Sequence, residues 1–318
     1  MELKESDFKL LAHLYHNNRE PISKIAKACK LTRDQVEYKL NKYVSSKLII
    51  KFFPVINYLA LGYNCLAIIL IKTSKEYEIG SLLKNIQRDK NIISYGKAFG
   101  KYDLYINSIF RDEKELSEYI SNLMKEDNIS DYTIIKPYFT ELYPLKFLNS
   151  YYKNDFSIIN ESEVKIKLDE KEKKILKSLS KNGRAKIIDI AKETKISSEL
   201  ILYKLKHLEK ERVILGSRIQ FDMEKLGYSF STLLLNIKSF SDANKEKIKK
   251  FAKESKNVNS IILSLNKPNC IIQLFHKNNQ EIKDVISNLK DILKNSEIEI
   301  NLLLINQEEG EINTLPFL

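Results

Sequence analysis

LDEKEKKILKSLSKNGRAKIIDIAKETKISSELILYKLKHLEKERVILGSRIQFDMEKLGY runs from Leu168 to Tyr228. It reads as a short lead, three helices, a two-stranded wing and the entry into a second domain. The same text occurs once before. Sliding the chain along itself sets Leu3 on Leu168, Asn17 on Asn182 and Arg19 on Arg184. Without a gap it then sets Ile25-Ala26-Lys27 on Ile190-Ala191-Lys192, Tyr38-Lys39-Leu40 on Tyr203-Lys204-Leu205, and Leu61-Gly62-Tyr63 on Leu226-Gly227-Tyr228. Roughly a third of the aligned positions are identical, which marks an internal duplication. The chain is two copies of one unit.

The 318 residues carry a formal charge of +11. That charge is segregated: residues 1–57 hold roughly +5 and 165–222 roughly +7, while 58–164 come to about −2 and 223–318 to about +1. A generally basic surface does not explain this division, whereas a polyanion gripped by the two three-helix units does. Cys29, Cys65 and Cys270 are scattered and odd in number, so neither a disulfide framework nor a zinc site is indicated. The polar N-terminus does not read as a signal peptide, and the apolar run Cys65–Ile71 is too short to span a bilayer. A reduced, cytoplasmic protein without membrane contact is expected.

In the first copy Leu10, Leu11 and Leu14 form the inner face of a helix over Phe8–Tyr15. Pro21 starts a second helix, whose Ile22, Ile25 and Ala26 point inward. Thr32 with Gln35 makes a capping box for the third, where Val36, Leu40 and Tyr43 form the buried stripe. Lys47–Asn57 then reads as two short strands around a turn. This is a winged helix-turn-helix. The period changes after it: strand Tyr63–Ile71, helix Tyr77–Arg88, strands Ile92–Ala98 and Asp103–Phe110, helix Glu113–Met124, strand Tyr132–Tyr138. The order βαββαβ is ferredoxin-like, and strands apolar on nearly every residue predict that the face away from the helices meets a second sheet. The predicted class is α+β. The expected divisions are 1–60 and 165–225 for the winged helices, 61–141 and 226–318 for the α/β domains, and 142–164 for a linker. Tyr143, Phe147, Tyr151, Tyr152 and Phe156 should hold that linker on a domain surface. The tail through Pro316 carries no pattern.

This arrangement resembles the Lrp/AsnC family of transcription regulators, twice over. The residues that carry the resemblance are Leu168-Asp169-Glu170, Ile175-Leu176, Asn182-Gly183-Arg184, Asp189-Ile190-Ala191 and Lys225-Leu226-Gly227-Tyr228, with Phe99-Gly100-Lys101-Tyr102-Asp103 matching the family's glycine-to-aspartate turn. The resemblance implies sequence-specific binding of duplex DNA. It also implies a small amino-acid effector, and assembly through the α/β domains as a homo-oligomer or, with two fused copies, an intramolecular pseudo-dimer. Two departures stand out. Lys47 and Arg212 replace the family's usual glycine before the wing, and Asn266-Lys267-Pro268-Asn269 replaces the glycine-to-aspartate turn in the second copy.

On the third helix Arg33 can pair with guanine, Gln35 or Asn41 with adenine, and Lys39 and Lys42 with phosphates, with Tyr38 on the same face. Ser198, Tyr203, Lys204, Lys206 and His207 are their counterparts. Leu200 and Leu202 beside them suit a protein contact better than a groove, so this helix is expected to give affinity more than base discrimination, or to have left DNA. Gly100, Tyr102 and Asp103 are the effector candidates: Gly100 permits close approach, Tyr102 supplies a hydroxyl and an apolar wall, and Asp103 accepts from an ammonium. His13, His16, His207 and His276 lack partners at ligand spacing, so no metal, cofactor or catalytic centre is expected.

Two other readings remain open. Siroheme decarboxylases share this architecture, but the resemblance to them requires an arginine-rich wing, a His-Asn-Tyr stretch and a tryptophan-bearing strand. The wing here reads Ile50-Lys51-Phe52-Phe53-Pro54, and the chain has no tryptophan. The third reading is a sensing or assembly protein that binds no DNA, against which the segregated charge argues.

Overall fold

The computed structural model describes residues 3–74, 79–125, 129–148, 158–159, 165–308 and 311–318. The first three helices are α1 (Glu5–Asn17), α2 (Ile22–Cys29) and α3 (Arg33–Ser45), followed by β1 (Ile49–Ile56). The first α/β unit comprises β2 (Cys65–Thr73), α4 (Ile79–Arg88), β3 (Ile92–Phe99), β4 (Leu104–Phe110), α5 (Glu113–Leu123) and β5 (Ile129–Ile135). β6 (Pro137–Leu142) and the short β7 (Ile158–Ile159) lead to α6 (Glu170–Lys181), α7 (Ile187–Thr194), α8 (Ser198–Lys210) and β8 (Ile214–Phe221). The second α/β unit is β9 (Ser229–Ile237), α9 (Asp242–Glu254), β10 (Val258–Ser264), β11 (Cys270–His276), α10 (Asn279–Ile292) and β12 (Ile298–Glu308). Among the described residues no helix is long and apolar enough to cross a membrane.

The expected two-stranded wing within each copy is not what forms. Residues 49–56 run through Pro54 as one strand, which pairs antiparallel with β8 of the other copy. Pro54 fits because a two-stranded ribbon has only edge strands, where a missing N–H can face outward. The register is that of a pseudo-dyad: Ile49 lies opposite Phe221, Ile56 opposite Ile214, and Phe53 opposite its own counterpart Arg218. Outside the ribbon, Asn57 N–H donates to Val213 O and Asp222 N–H to Leu48 O, both at 2.9 Å.

The helices are exchanged along with the strands. α1 packs on β8, and α6 on β1. Ile219 and Phe221 complete the core of α1–α3, and Ile56 completes that of α6–α8. Each such side chain contributes about 1.5–3 kcal/mol when fully buried, so each three-helix unit depends on the other copy for its core. Gly183 makes the closest contact. Its N–H donates to Phe52 O at 2.7 Å, and a Cβ there would lie 2.7 Å from Phe53 N.

The α/β units form sheets in the orders β5-β2-β4-β3 and β12-β9-β11-β10, joined edge to edge by β12 on β3 into one ten-stranded sheet. The single closing strand expected over 132–138 is broken at Lys136. β5 completes its own sheet on β2, while β6 crosses to the far copy and pairs with β10. Alternate residues face opposite ways, as the apolar strands required. Ile69 and Ile71 lie under α4 and α5, and Leu233 and Leu235 under α9 and α10. Leu70, Tyr105 and Ile135 meet Leu234, Ile271 and Leu303 between the two sheets. The linker packs as expected where it is described. Tyr143 is buried, and the Phe147 ring lies 4.2 Å from that of Tyr228 and 5.5 Å from that of Phe275. Tyr151, Tyr152 and Phe156 lie outside the described residues. The patternless tail packs too: Leu315 enters the second helical core, and Phe317 stacks on Tyr63 at 4.4 Å.

Gly183→Ala is expected to destabilise the chain by about 2–3 kcal/mol in urea unfolding, because the added methyl meets backbone that cannot move aside. Gly80→Ala, where a Cβ meets nothing within 4 Å, should instead stabilise α4 by a few tenths to about 1 kcal/mol.

Candidate nucleic-acid interface

The recognition helices α3 and α8 are related by the ribbon's pseudo-dyad. Thr32 N–H donates to Gln35 Oε1 at 2.9 Å and Gln35 N–H to Thr32 Oγ1 at 3.2 Å, closing the expected capping box on α3. Ser197 caps α8 through Leu200 N–H. Two residues past the end of each helix, Lys47 and Arg212 are held at φ 54°, in the left-handed region that favours glycine. The turns before them, at Lys30 and Lys195, have φ of 57° and 58°. The paired positions match because one backbone is used twice.

The outer face of α3 presents Arg33, Gln35, Tyr38, Asn41 and Lys42 as exposed side chains. Gln35 faces outward from a cap, so only its amide nitrogen is left for another partner. The outer face of α8 presents Tyr203 and Lys206, with Ser198 and His207 half-buried. Tyr38 and Tyr203 occupy the same position in the two copies and are 69% and 65% exposed. Neither phenol belongs to a buried core, so both are open to solvent or to a partner. Leu200 turns back against the helical core, which leaves Leu202, 46% exposed, as the apolar residue on that face.

Two lysines leave the set. Lys39 Nζ pairs with Asp7 Oδ1 at 2.5 Å, and Tyr43 Oη donates to the same oxygen. Its counterpart Lys204 pairs with Asp169 at 2.5 Å and with Glu172 at 3.1 Å. Glu172 stands where Asp7 stands in the first copy, so the same strut ties each recognition helix to the first helix of its unit. Lys39 and Lys204, both expected among the DNA-contacting residues, are each ion-paired to a carboxylate on the first helix of their own unit or at its cap. His207 Nδ1 lies 3.4 Å from the same Glu172. Burial raises the Asp7 pKa, but hydrogen bonds from Lys39 and Tyr43 outweigh it and hold the carboxyl below its ordinary range.

Sequence reasoning passed over Arg19 and Arg184 as more than markers of the repeat. Arg19 donates to Gly183 O across the dyad, and burial holds both guanidinium groups below their ordinary range, with each other's charge adding to the effect on Arg184. Their equivalence was legible, but their mutual approach needs the strand exchange.

The turn proposed for an effector is engaged internally. Asp103 Oδ1 accepts from Lys72 Nζ at 2.8 Å, and Oδ2 from Thr73 N–H and Oγ1 at 2.8 and 2.9 Å. Tyr102 is buried, its hydroxyl 2.7 Å from that of Thr133. Gly100, at φ 133°, leaves room for β12, since a Cβ would meet Leu302 O at 2.8 Å. In the second copy Asn269 makes the same latch by bonding the N–H and the carbonyl of Ile237 at 3.0 and 2.8 Å. Asp103, expected to accept from a ligand's ammonium, accepts here from the Lys72 ammonium, and Asn269 holds the second turn through an equivalent pair of bonds.

The winged helix-turn-helix DNA-binding family matches residues 168–214. The transcriptional regulator LrpA of Pyrococcus horikoshii is 32% identical over 124 residues, which span 38% of this chain and 84% of that protein. An uncharacterised HTH-type transcriptional regulator of Pyrococcus furiosus is 26% identical over 129 residues, 41% of this chain and 86% of its own length. Among solved structures, the siroheme decarboxylase NirDL with an iron-uroporphyrin III analogue superposes with a TM-score of 0.66 over 98% of this chain and 96% of that one, at 16% identity. The last likeness establishes a shared tandem fold.

Two outcomes test the struts. Lys204→Met should cost about 2–3 kcal/mol of stability in urea unfolding, because it removes the lysine from a buried carboxylate. The Asp7 carboxyl has a folded pKa below its unfolded one, so its contribution is present above the unfolded value and lost as pH falls through the folded one. Asp7→Asn should thus be less stable than the parent at pH 7, with the gap closing on acidification toward pH 3.

Proposed function

The chain belongs to the Lrp/AsnC family of transcription regulators, and from that premise we propose that it binds duplex DNA sequence-specifically in the cytoplasm as a built-in pseudo-dimer. The observation that carries the reading is the pair of recognition helices, set by one dyad, with an exposed tyrosine at the same place on each. Two such helices address two half-sites on one face of a duplex. Because the helices differ, the half-sites differ. α3 brings Arg33 and Asn41 toward base edges and Lys42 toward a phosphate. α8 brings Lys206 to the backbone and a tyrosine beside Leu202 to the sugar and thymine-methyl surface. Lys39 and Lys204 act on DNA only by orienting these helices.

This reading is of a regulator and not of an enzyme. Supporting it, the sequence departs from the features that the resemblance to siroheme decarboxylases calls for, with Ile50-Lys51-Phe52-Phe53-Pro54 in the first wing. The chain has no tryptophan, and the buried His276 is bonded through Nε2 to Ser231 Oγ at 2.7 Å.

A gel-shift titration with the DNA upstream of the chain's own gene tests the proposal. About six phosphate contacts give a log–log salt slope near −5, and a slope of zero would remove the reading. Arg33→Ala should weaken the specific site by about 1–3 kcal/mol and random DNA much less. Lys206→Ala should weaken both alike.

A further inference from the structure

A cavity of about 290 Å³ lies on the pseudo-dyad, between the wing ribbon and the edges of both sheets. Phe53 and Arg218, the pair through which the dyad passes, form its wing side. Its sheet side is built from equivalent positions of the two copies, Ser94 with Asn259 and Asn107 with Gln273. Most of the remaining wall is apolar, and the volume is at the lower edge of the roughly 300–1,000 Å³ common for small-molecule sites.

Arg218 is 6% exposed. Its guanidinium lies 5.0 Å from the centre of the Tyr15 ring, and Nη1 donates to Tyr15 Oη at 3.3 Å. Nε and Nη2 are buried with no hydrogen-bond partner among the described residues. Asn259 Oδ1, in the facing wall, is buried and equally unpartnered. A buried guanidinium with no counter-charge carries a large desolvation penalty. The other copy shows the alternative, since the same position there holds Phe53. The chain thus keeps a costly cation beside an apolar ring where a second apolar residue would fit.

We propose that this cavity binds a small carboxylate with an aromatic or branched apolar body. The carboxylate lies on the Nε/Nη2 edge of Arg218, which presents the parallel pair of donors that two carboxylate oxygens require. The apolar body lies along Phe53, Val55 and Phe230. A hydroxyl on the ligand donates to Asn259 Oδ1. Glu224, exposed at the rim, disfavours ligands with a second anionic group at that end. The site is distinct from the turn at Gly100–Asp103, needs both copies and is independent of whether the chain binds DNA.

The test uses the full chain, by thermal shift and isothermal calorimetry, with phenylacetate and 3-phenyllactate as probes and acetate and sulfate as anion controls. Both phenyl carboxylates should raise Tm by on the order of 5 °C at a hundredfold excess over Kd, with 3-phenyllactate the tighter. Acetate and sulfate should give no such shift at the same concentration. Asn259→Ala should erase the preference for the hydroxy acid. Arg218→Met should raise the Tm of the unliganded chain, by removing an uncompensated charge, and abolish the response. Should that variant not fold, Arg218→Lys carries the test: it keeps the charge, loses the fork, and should weaken both probes at least tenfold. No response of the parent to either probe, an equal response to sulfate, or an unchanged Kd in Arg218→Lys and Asn259→Ala would each overturn the assignment.

Discussion

The antiparallel pairing of β1 with β8 is the constraint on which the rest of the molecule depends. Three short helices and their own strand leave each core incomplete: Ile49 and Phe52 join the first and Ile214 the second, and a strand of the other copy supplies the rest. Exchange solves this. Phe221 and Ile219 serve the first helical core, Ile56 serves the second, and neither helical unit is a separable domain. In separate chains this contact would depend on concentration. Fusion makes it intramolecular, and it also releases the two copies from having to be identical. The positions at the dyad have used that freedom. Phe53 faces Arg218, and Gly183 fits against the Phe52–Phe53 backbone where the other copy has a buried asparagine, Asn18.

The sheets repeat the same solution. β6 leaves its own copy for β10, and β12 extends from its own sheet onto β3. The exchange that binds the helical units also binds the α/β units. Leu145 and Leu148, after β6, pack on the first helical core, and Leu315 and Phe317, after β12, on the second.

Charge is the property most altered in meaning by the fold. The two helical units hold the chain's excess of lysine and arginine, yet these residues do three different jobs. Lys39 and Lys204 are struts. Arg19 reaches across the dyad to the Gly183 carbonyl, close to Arg184. Arg33, Lys42 and Lys206 remain on the surface, available to a polyanion. Long-range attraction depends on the total, but recognition depends on the last group alone.

The sequence by itself determined the duplication, the helix-turn-helix units, the βαββαβ order and the stretch of chain that forms each recognition helix. These follow from local periodicity, caps and repetition, which act within a few residues. It could not decide which strand completes which core, because an apolar strand such as Ile49–Ile56 pairs equally well on paper with its own copy or the other. Nor could it separate Lys39 from Lys42, three residues apart and chemically alike. Only the distance to Asp7, a residue on another helix, does that. Asp103 showed the same limit: its turn was legible, but its partners Lys72 and Thr73 lie on a neighbouring strand. Arg218 passed unnoticed for the same reason, since a lone arginine in a strand acquires meaning only when the dyad seals it under the wing without an anion.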